Sequence, residues 1–268
     1  MKQLNWATLG CGVIANELAQ ALSKEGRTLY SVANRTHEKA QAFAQKYGIS
    51  KVYDNIDDVF YDPDVDIIYI STPHNTHINY LRKALSNGKH VLCEKSITLN
   101  ITELDEAISL AKANNVILAE AMTIYHMPVY KKLNKIISSG QLGRLNLIQV
   151  NFGSYKDYNM TNRFFSRKLA GGALLDIGVY SLSLIRWFFK ETPSHVLSQV
   201  RYAPTGVDEQ AGILLMNDAA RWQLSHYLYI PSNQNALHYL LTKHMWKSLI
   251  IQEECRQPLH TQRMVIKK

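Results

Sequence analysis

Three groups of residues in this 268-residue chain have the types and spacing that chemistry needs. The first is Gly10-Cys11-Gly12-Val13-Ile14-Ala15, a Gly-x-Gly-x-x-Ala pattern. Gly10 permits a tight turn, Gly12 lets backbone come close to a ligand, and Ala15 is small enough for a helix to pack closely on a strand. Free N–H groups of Val13 and Ile14 then stand at a helix start, where they and the helix dipole favour an anion such as a dinucleotide's diphosphate. The second is Lys95, just past the apolar run His90–Cys93, at the kind of strand end where ligands gather in open α/β sheets. The third is Asp176 with Tyr180, four residues apart and therefore on one face of a helix. A hydride leaving or joining a carbonyl carbon requires a proton to move at its oxygen. Tyr180 suits that task when a neighbouring ammonium lowers its pKa, and Lys95 is a source of that charge. Asp176 is read as orienting either a substrate hydroxyl or Lys95.

The residues after the second strand, Asn34-Arg35-Thr36, bear on which dinucleotide is held. A carboxylate there would bond the ribose 2′-hydroxyl of NAD, whereas an arginine accommodates the 2′-phosphate of NADP. The next carboxylate is Glu38, so Arg35 favours NADP(H) over NAD(H). His74 and His77 are expected to cap or line the cofactor loop; their spacing matches no strong zinc pattern, and no metal is expected. For Arg163 and Arg167, contact with a polyol or sugar and surface ion pairing both stay open. Arg163 joins Asp176 and Tyr180 as the substrate-binding set.

These residues need a scaffold. Apolar periodicity and end signals predict strands over 4–9, 29–33, 66–71, 90–93 and 116–119. Helices are predicted over 13–24, 36–47, 76–87 and 102–114, with Thr36 as one cap and a Thr102/Asp105 capping box opening the last. Gly48 ends the second helix. This alternation gives an α/β doubly wound parallel sheet over residues 1–121. It breaks after Glu120. Helices over 125–139 and 173–189, with strands over 145–152, 196–202 and 212–216, predict a second α+β domain over 122–268 with an open, mainly antiparallel sheet.

Composition narrows the partners. Net charge is +8, yet residues 219–268 hold seven Lys/Arg against two Glu, so most of the excess lies in the tail. No basic stripe interleaved with aromatics occurs before residue 219, so no nucleic-acid partner is expected. The apolar runs read as too short to span a bilayer and no signal peptide is evident, so no membrane is expected. Cys11, Cys93 and Cys255 are odd in number and widely spaced, which fits a reducing cytoplasm without disulfides.

Further segments carry a resemblance. His90-Val91-Leu92-Cys93-Glu94-Lys95-Ser96, the loop Ser71-Thr72-Pro73-His74-Asn75-Thr76-His77, and the glycine-rich run Leu169 to Tyr180, taken with the phosphate loop, resemble the glucose–fructose oxidoreductase/inositol dehydrogenase (Gfo/Idh/MocA) family. The tyrosine at 180 is similar to its dihydrodiol-dehydrogenase-like branch. The resemblance implies an NAD(P)-dependent oxidoreductase passing a hydride between nicotinamide and a diol, polyol or sugar-like alcohol or carbonyl. It implies that Glu94 touches the nicotinamide ribose, that Thr72, Pro73 and Asn75 flank the cofactor, and that copies assemble into a homo-oligomer when the C-terminal sheet is intact. Ser96 departs from the family's proline and leaves φ unfixed there. Residues 120–128 keep Glu-Ala and a later Pro but lack the usual aromatic and arginine between them. A non-catalytic dinucleotide-binding regulator and an inactive truncated product stand as alternatives.

The second alternative comes from the last fifty residues. No glycine follows Gly212 and no aspartate follows Asp218, although turns in an antiparallel sheet rely on both. Shifting the reading frame from Ala219 forces Ala at Trp222-Gln223, Leu at His226-Tyr227 and Val at Met245-Trp246, within strings that resemble the family's missing strands. A frameshift near residues 218–220 is therefore expected, with the family pattern ending at Asp218 and the second sheet incomplete.

Overall fold

In a computed structural model, which describes residues 3–189, 191–218, 222–231, 248–254 and 264–265, the chain divides into two compact units, Met1–Ala121 and Met122–Lys268. In the first, strands β1 (Trp6–Leu9), β2 (Ser31–Ala33), β3 (Lys51–Val52), β4 (Ile67–Ile70), β5 (His90–Cys93) and β6 (Leu118–Glu120) form one parallel sheet in the order β3-β2-β1-β4-β5-β6. The chain leaves β1 toward one edge and returns at β4 toward the other. That reversal opens a crevice at the strands' carboxyl ends, where such sheets bind ligands.

Helices α1 (Val13–Lys24), α2 (His37–Tyr47), α3 (Asp58–Tyr61), α4 (His77–Ser86) and α5 (Ile101–Ala113) cover the sheet. Ala15, Leu22, Val32 and Phe43 make one apolar cluster, and Leu9, Ile68, Ile70, Leu81 and Val91 the other. A strand buried on both faces needs the continuous apolar run that β4 carries. Gly48 ends α2 at φ +66°, in the left-handed region glycine tolerates.

Two local expectations are corrected. Helix α5 is capped by Asn100, whose side chain accepts from Glu103 N at 2.9 Å while Glu103 accepts from Leu99 N at 3.0 Å; Thr102 lies inside the helix. Thr36 stands at the start of α2 without a side-chain capping bond. The short β3 and α3 have too few residues to show a period.

The second unit holds α6 (Pro128–Ser138), β7 (Arg144–Lys156), α7 (Val179–Phe188), β8 (His195–Tyr202), β9 (Asp208–Met216), β10 (Trp222–Pro231), β11 (Ser248–Glu254) and β12 (Met264–Val265). The sheet order is β12-β11-β7-β10-β9-β8. Only the β7–β10 pair is parallel, so the sheet is mainly antiparallel as expected. The helix expected over 125–139 divides into a 3-10 turn (Thr123–His126) and α6, because Pro128 suits a first helical position and not an interior one. The helix expected over 173–189 opens with a π-turn at Leu174–Gly178.

By length and composition the run Arg167–Phe188 would pass for a membrane span, which the short apolar runs in the sequence do not suggest. Ile177, Leu184, Ile185 and Phe188 bury it against the sheet as a core helix.

Strand β10 comes from the segment expected to be out of frame. It pairs with β7 from Trp222 opposite Leu147 onward, and buries Gln223, Ser225, Tyr227 and Tyr229 on one side. Most of the rest of 219–268 lies outside the described residues.

Candidate functional site

The carboxyl ends of β1, β2, β4 and β5 place the first set of candidates. Gly10 donates its N–H to Ala33 O at 2.9 Å and sits at φ +108°, where a Cβ would stand 2.8 Å from Ser71 Oγ. Only glycine fits there. A Cβ on Gly12 would meet nothing within 4 Å, so the space above the turn is open. Helix α1 begins at Gly12 with no side-chain cap and no acidic residue in its first turn. Val13 is 75% exposed, whereas Ala15 is fully buried against the sheet. A helix start whose amides lack an internal anion fits a diphosphate.

Beyond β2, Asn34 turns its amide onto Thr36 O at 2.9 Å and Arg35 is exposed. Lys39, unremarked in the sequence, lies near enough to pull the Cys11 thiol downward, though burial prevails and pushes it up to about 11. Its signal was its place in the first turn of α2, just beyond the end of β2. In the loop after β4, the side-chain oxygen of Asn75 is buried without a partner among the described residues. Burying an unpaired acceptor is costly, and a donor on a bound coenzyme would satisfy it. Thr72 is held by Thr76 Oγ1 at 2.8 Å, and Pro73 O lies 2.7 Å from the same hydroxyl.

The two histidines line this loop, as expected. His77 is wholly buried, with Nε2 2.8 Å from Thr72 O and Nδ1 2.9 Å from Ser96 O; His74 Nε2 lies 3.1 Å from Lys95 O. They join the loop after β4 to the one after β5. Burial lowers the His77 pKa against the pull of these carbonyls, and a neutral ring has one N–H to give.

At the end of β5, Tyr69 donates to Glu94 Oε1 at 2.5 Å. Burial raises the Glu94 pKa, while Tyr69 and the Lys95 ammonium oppose the rise. Glu120 is likewise raised by burial, eased by a hydrogen bond from Ile97 N and by Lys95. Lys95 is thus the cation beside two half-buried carboxyls. The Lys95–Ser96 peptide is cis.

In the second unit, Asp176 lies in the π-turn and Tyr180 in the first turn of α7, so the predicted pair occupies one helical run. Asp176 Oδ2 is 3.0 Å from Lys156 Nζ and 3.2 Å from the Tyr229 hydroxyl, which also reaches Gly172 O at 2.9 Å. Tyr180 meets Phe152 edge-on with ring centres 5.7 Å apart. Arg163 and Lys156 both stack on Phe164, at 4.2 and 3.6 Å from its ring centre.

The glycines ahead of the turn are explained by close approach. A Cβ on Gly171 would lie 2.6 Å from Phe164 O, and Gly172, at φ +121°, faces the Asp208 carboxylate. Asp208 accepts from Leu174 N at 2.6 Å and so caps the run that carries Asp176. Sequence reading missed Lys156, Asp208 and Tyr229, whose partners lie far along the chain. Lys95 belongs to the first unit, and its share in the chemistry of Asp176 and Tyr180 rests on the resemblance.

Comparison with known proteins decides the family. Residues 4–122 match the model "Oxidoreductase family, NAD-binding Rossmann fold", and residues 130–236 match "GFO/IDH/MocA C-terminal domain". The chain belongs to the Gfo/Idh/MocA oxidoreductase family. It falls on the dihydrodiol-dehydrogenase-like branch: trans-1,2-dihydrobenzene-1,2-diol dehydrogenase of Xenopus tropicalis is 33% identical over 220 residues, 81% of this chain and 66% of that one. The chain therefore spans just under two thirds of that relative's length.

Among solved structures, GenD2 from gentamicin A biosynthesis in complex with NAD superposes with TM-score 0.80 at 21% identity, over 98% of this chain and 73% of that one. KijD10, a 3-ketoreductase from Actinomadura kijaniata in complex with NADP and TDP-benzene, gives 0.79 at 20% identity over 99% and 85%. At such identity these two show the fold alone. The C-terminal family match runs to residue 236, beyond Asp218 where the resemblance read from the sequence stops.

Proposed function

We propose that this Gfo/Idh/MocA chain is an NADP(H)-preferring dehydrogenase of a small diol, polyol or sugar-like alcohol and its carbonyl counterpart. The observation that carries the reading is the uncapped, acid-free start of α1 above an open Gly12, with Lys39 near Cys11 of the same turn. There the amides of Val13 and Ile14 hold the diphosphate, Arg35 meets the 2′-phosphate, and Thr72, Pro73, Asn75 and Glu94 keep the nicotinamide end. The coenzyme's part, when bound, is to carry the hydride.

The chain's own residues manage the proton. In alcohol oxidation Tyr180 takes the proton from the substrate hydroxyl as the C–H bond breaks, and returns one to the oxygen in reduction. By the family resemblance Lys95 is the cation assigned to stabilise the phenolate that this requires, and Asp176 with Arg163 fixes the substrate's hydroxyl groups. The activity named for the amphibian relative, oxidation of a vicinal diol, supports this substrate class.

Fluorescence titration with NADPH and NADH tests the reading. NADPH is expected to bind more tightly. Arg35→Ala should weaken NADPH by about tenfold or more, the loss of one charge-assisted bond, with little change for NADH, and Gly12→Asp should abolish both. Tyr180→Phe should lower kcat by about 10²–10⁴ with the NADPH affinity retained. NADPH binding without turnover of any diol or polyol, unchanged by Tyr180→Phe, would make the chain a dinucleotide-binding regulator instead.

A further inference from the structure

We propose that Lys156, the last residue of β7, is the positioning residue that keeps Asp176 as an aimed carboxylate in the substrate site. The inference rests on the reading of Asp176 and Tyr180 as the groups that meet the substrate. Lys156 Nζ stands 3.0 Å from Asp176 Oδ2, and the two side chains are only 15% and 13% exposed. The ammonium also sits 3.6 Å above the Phe164 ring and 5.4 Å from that of Tyr229. A carboxyl so little exposed tends to take up a proton, and a cation at this distance reverses the tendency.

The aromatic rings hold the ammonium in place by attraction to their faces, which limits the directions from which Lys156 can approach. Tyr229 has a single proton to share between Asp176 Oδ2 and Gly172 O, so it steadies the carboxylate but cannot neutralise it. A counter-charge for Asp176 thus stands within the second unit, on the strand next to β10.

The titratable groups around Asp176 set what a pH experiment reads. Within the second unit they are Lys156 on β7, Tyr229 on β10, Tyr180 on the same helical run, Asp208 on β9 and Arg163 before Phe164. Of these, Lys156 is the cation paired with Asp176 inside the unit. Removing its charge should let Asp176 protonate within the working range. Protonated Asp176 donates where it should accept, and the substrate hydroxyl loses its partner.

The test uses the full-length chain. Lys156→Met should move the acid limb of kcat/KM for a diol substrate upward by about 1–3 pH units, the effect of losing an opposite charge at this range. Lys156→Arg should restore the limb, and NADPH affinity should stay unchanged in both. Lys156→Gln serves where the methionine variant does not fold. Titration of the Asp176 carboxyl carbon by NMR, in parent and variant, gives the same answer without turnover: its midpoint should rise in Lys156→Met. An active Asp176→Asn would overturn the role of Asp176 and the proposal with it. An inactive Asp176→Asn beside a Lys156→Met whose limb and midpoint match the parent would overturn the proposal alone.

Discussion

His77 shows how a single residue couples the cofactor loop to pH. It is wholly buried between Thr72 O and Ser96 O, and burial holds its pKa below the ordinary histidine value. The unfolded chain therefore takes up this proton first as the medium is acidified. Stability from His77 is complete above about pH 6.5 and is lost as pH falls from there through the folded-state value. Urea midpoints measured at pH 7.5 and 5.5 should drop for the parent chain, and drop less for His77→Gln, which starts lower. Equal slopes in the two proteins would refute this. The residues legible from sequence were those whose role is local. Gly10 is marked by its own φ of +108° in the turn, Gly12 by its place at the start of α1, and Asp176 and Tyr180 by their four-residue spacing. Lys156, Asp208 and Tyr229 were not legible, because strand pairing and chain reversal bring them to their partners. No pattern of neighbours foretells that Asp208 will cap a turn beginning at Leu174.

At the scale of elements, the run from Gly172 through α7 is held by its first turn. Gly172 adopts φ +121° against the Asp208 carboxylate, and Asp208 caps Leu174 N. Gly172→Ala should therefore destabilise by at least about 1–3 kcal/mol, the range for strained backbone, and Asp208→Ala by about 1–2 kcal/mol as a lost cap. Denaturant unfolding measures both, and an unchanged midpoint in either would deny the capping role. Burial also raises the Asp208 carboxyl pKa. Its contribution is thus largest below the ordinary aspartate value and declines as pH rises through the folded-state value, the opposite sense to His77.

Strand β10 presents a different case. Gln223 is fully buried, and neither its side-chain oxygen nor its nitrogen has a partner among the described residues. Gln223→Leu should stabilise the chain by about 1–3 kcal/mol, since it removes two desolvated groups at similar volume. A destabilised variant would mean that the amide is satisfied. The β-α alternation of the first unit was readable because each of its longer elements has a period of its own. The place of β10 between β7 and β9 was not, since buried Gln and Ser alternating with Leu and His give no clear apolar face to read.

At the scale of the whole molecule, the division of labour between the units yields a test of the functional reading. The anion cradle belongs to Met1–Ala121, and Asp176 and Tyr180 to Met122–Lys268. A ligand that binds only the folded form stabilises it by RT ln(1 + [L]/Kd), about 2.7 kcal/mol at a hundred times Kd. NADPH at that excess should raise the unfolding temperature of the parent chain. Tyr180 lies in the other unit from the cradle, so Tyr180→Phe should keep the rise while losing turnover. Gly12→Asp should lose it, because a carboxylate at the helix start occupies the space and the charge that the diphosphate requires. Arg35→Ala should keep a reduced rise with NADPH and an unchanged one with NADH. If Gly12→Asp and the parent chain rise equally, NADPH is bound elsewhere, and the assignment of the helix start fails however well the fold matches its family.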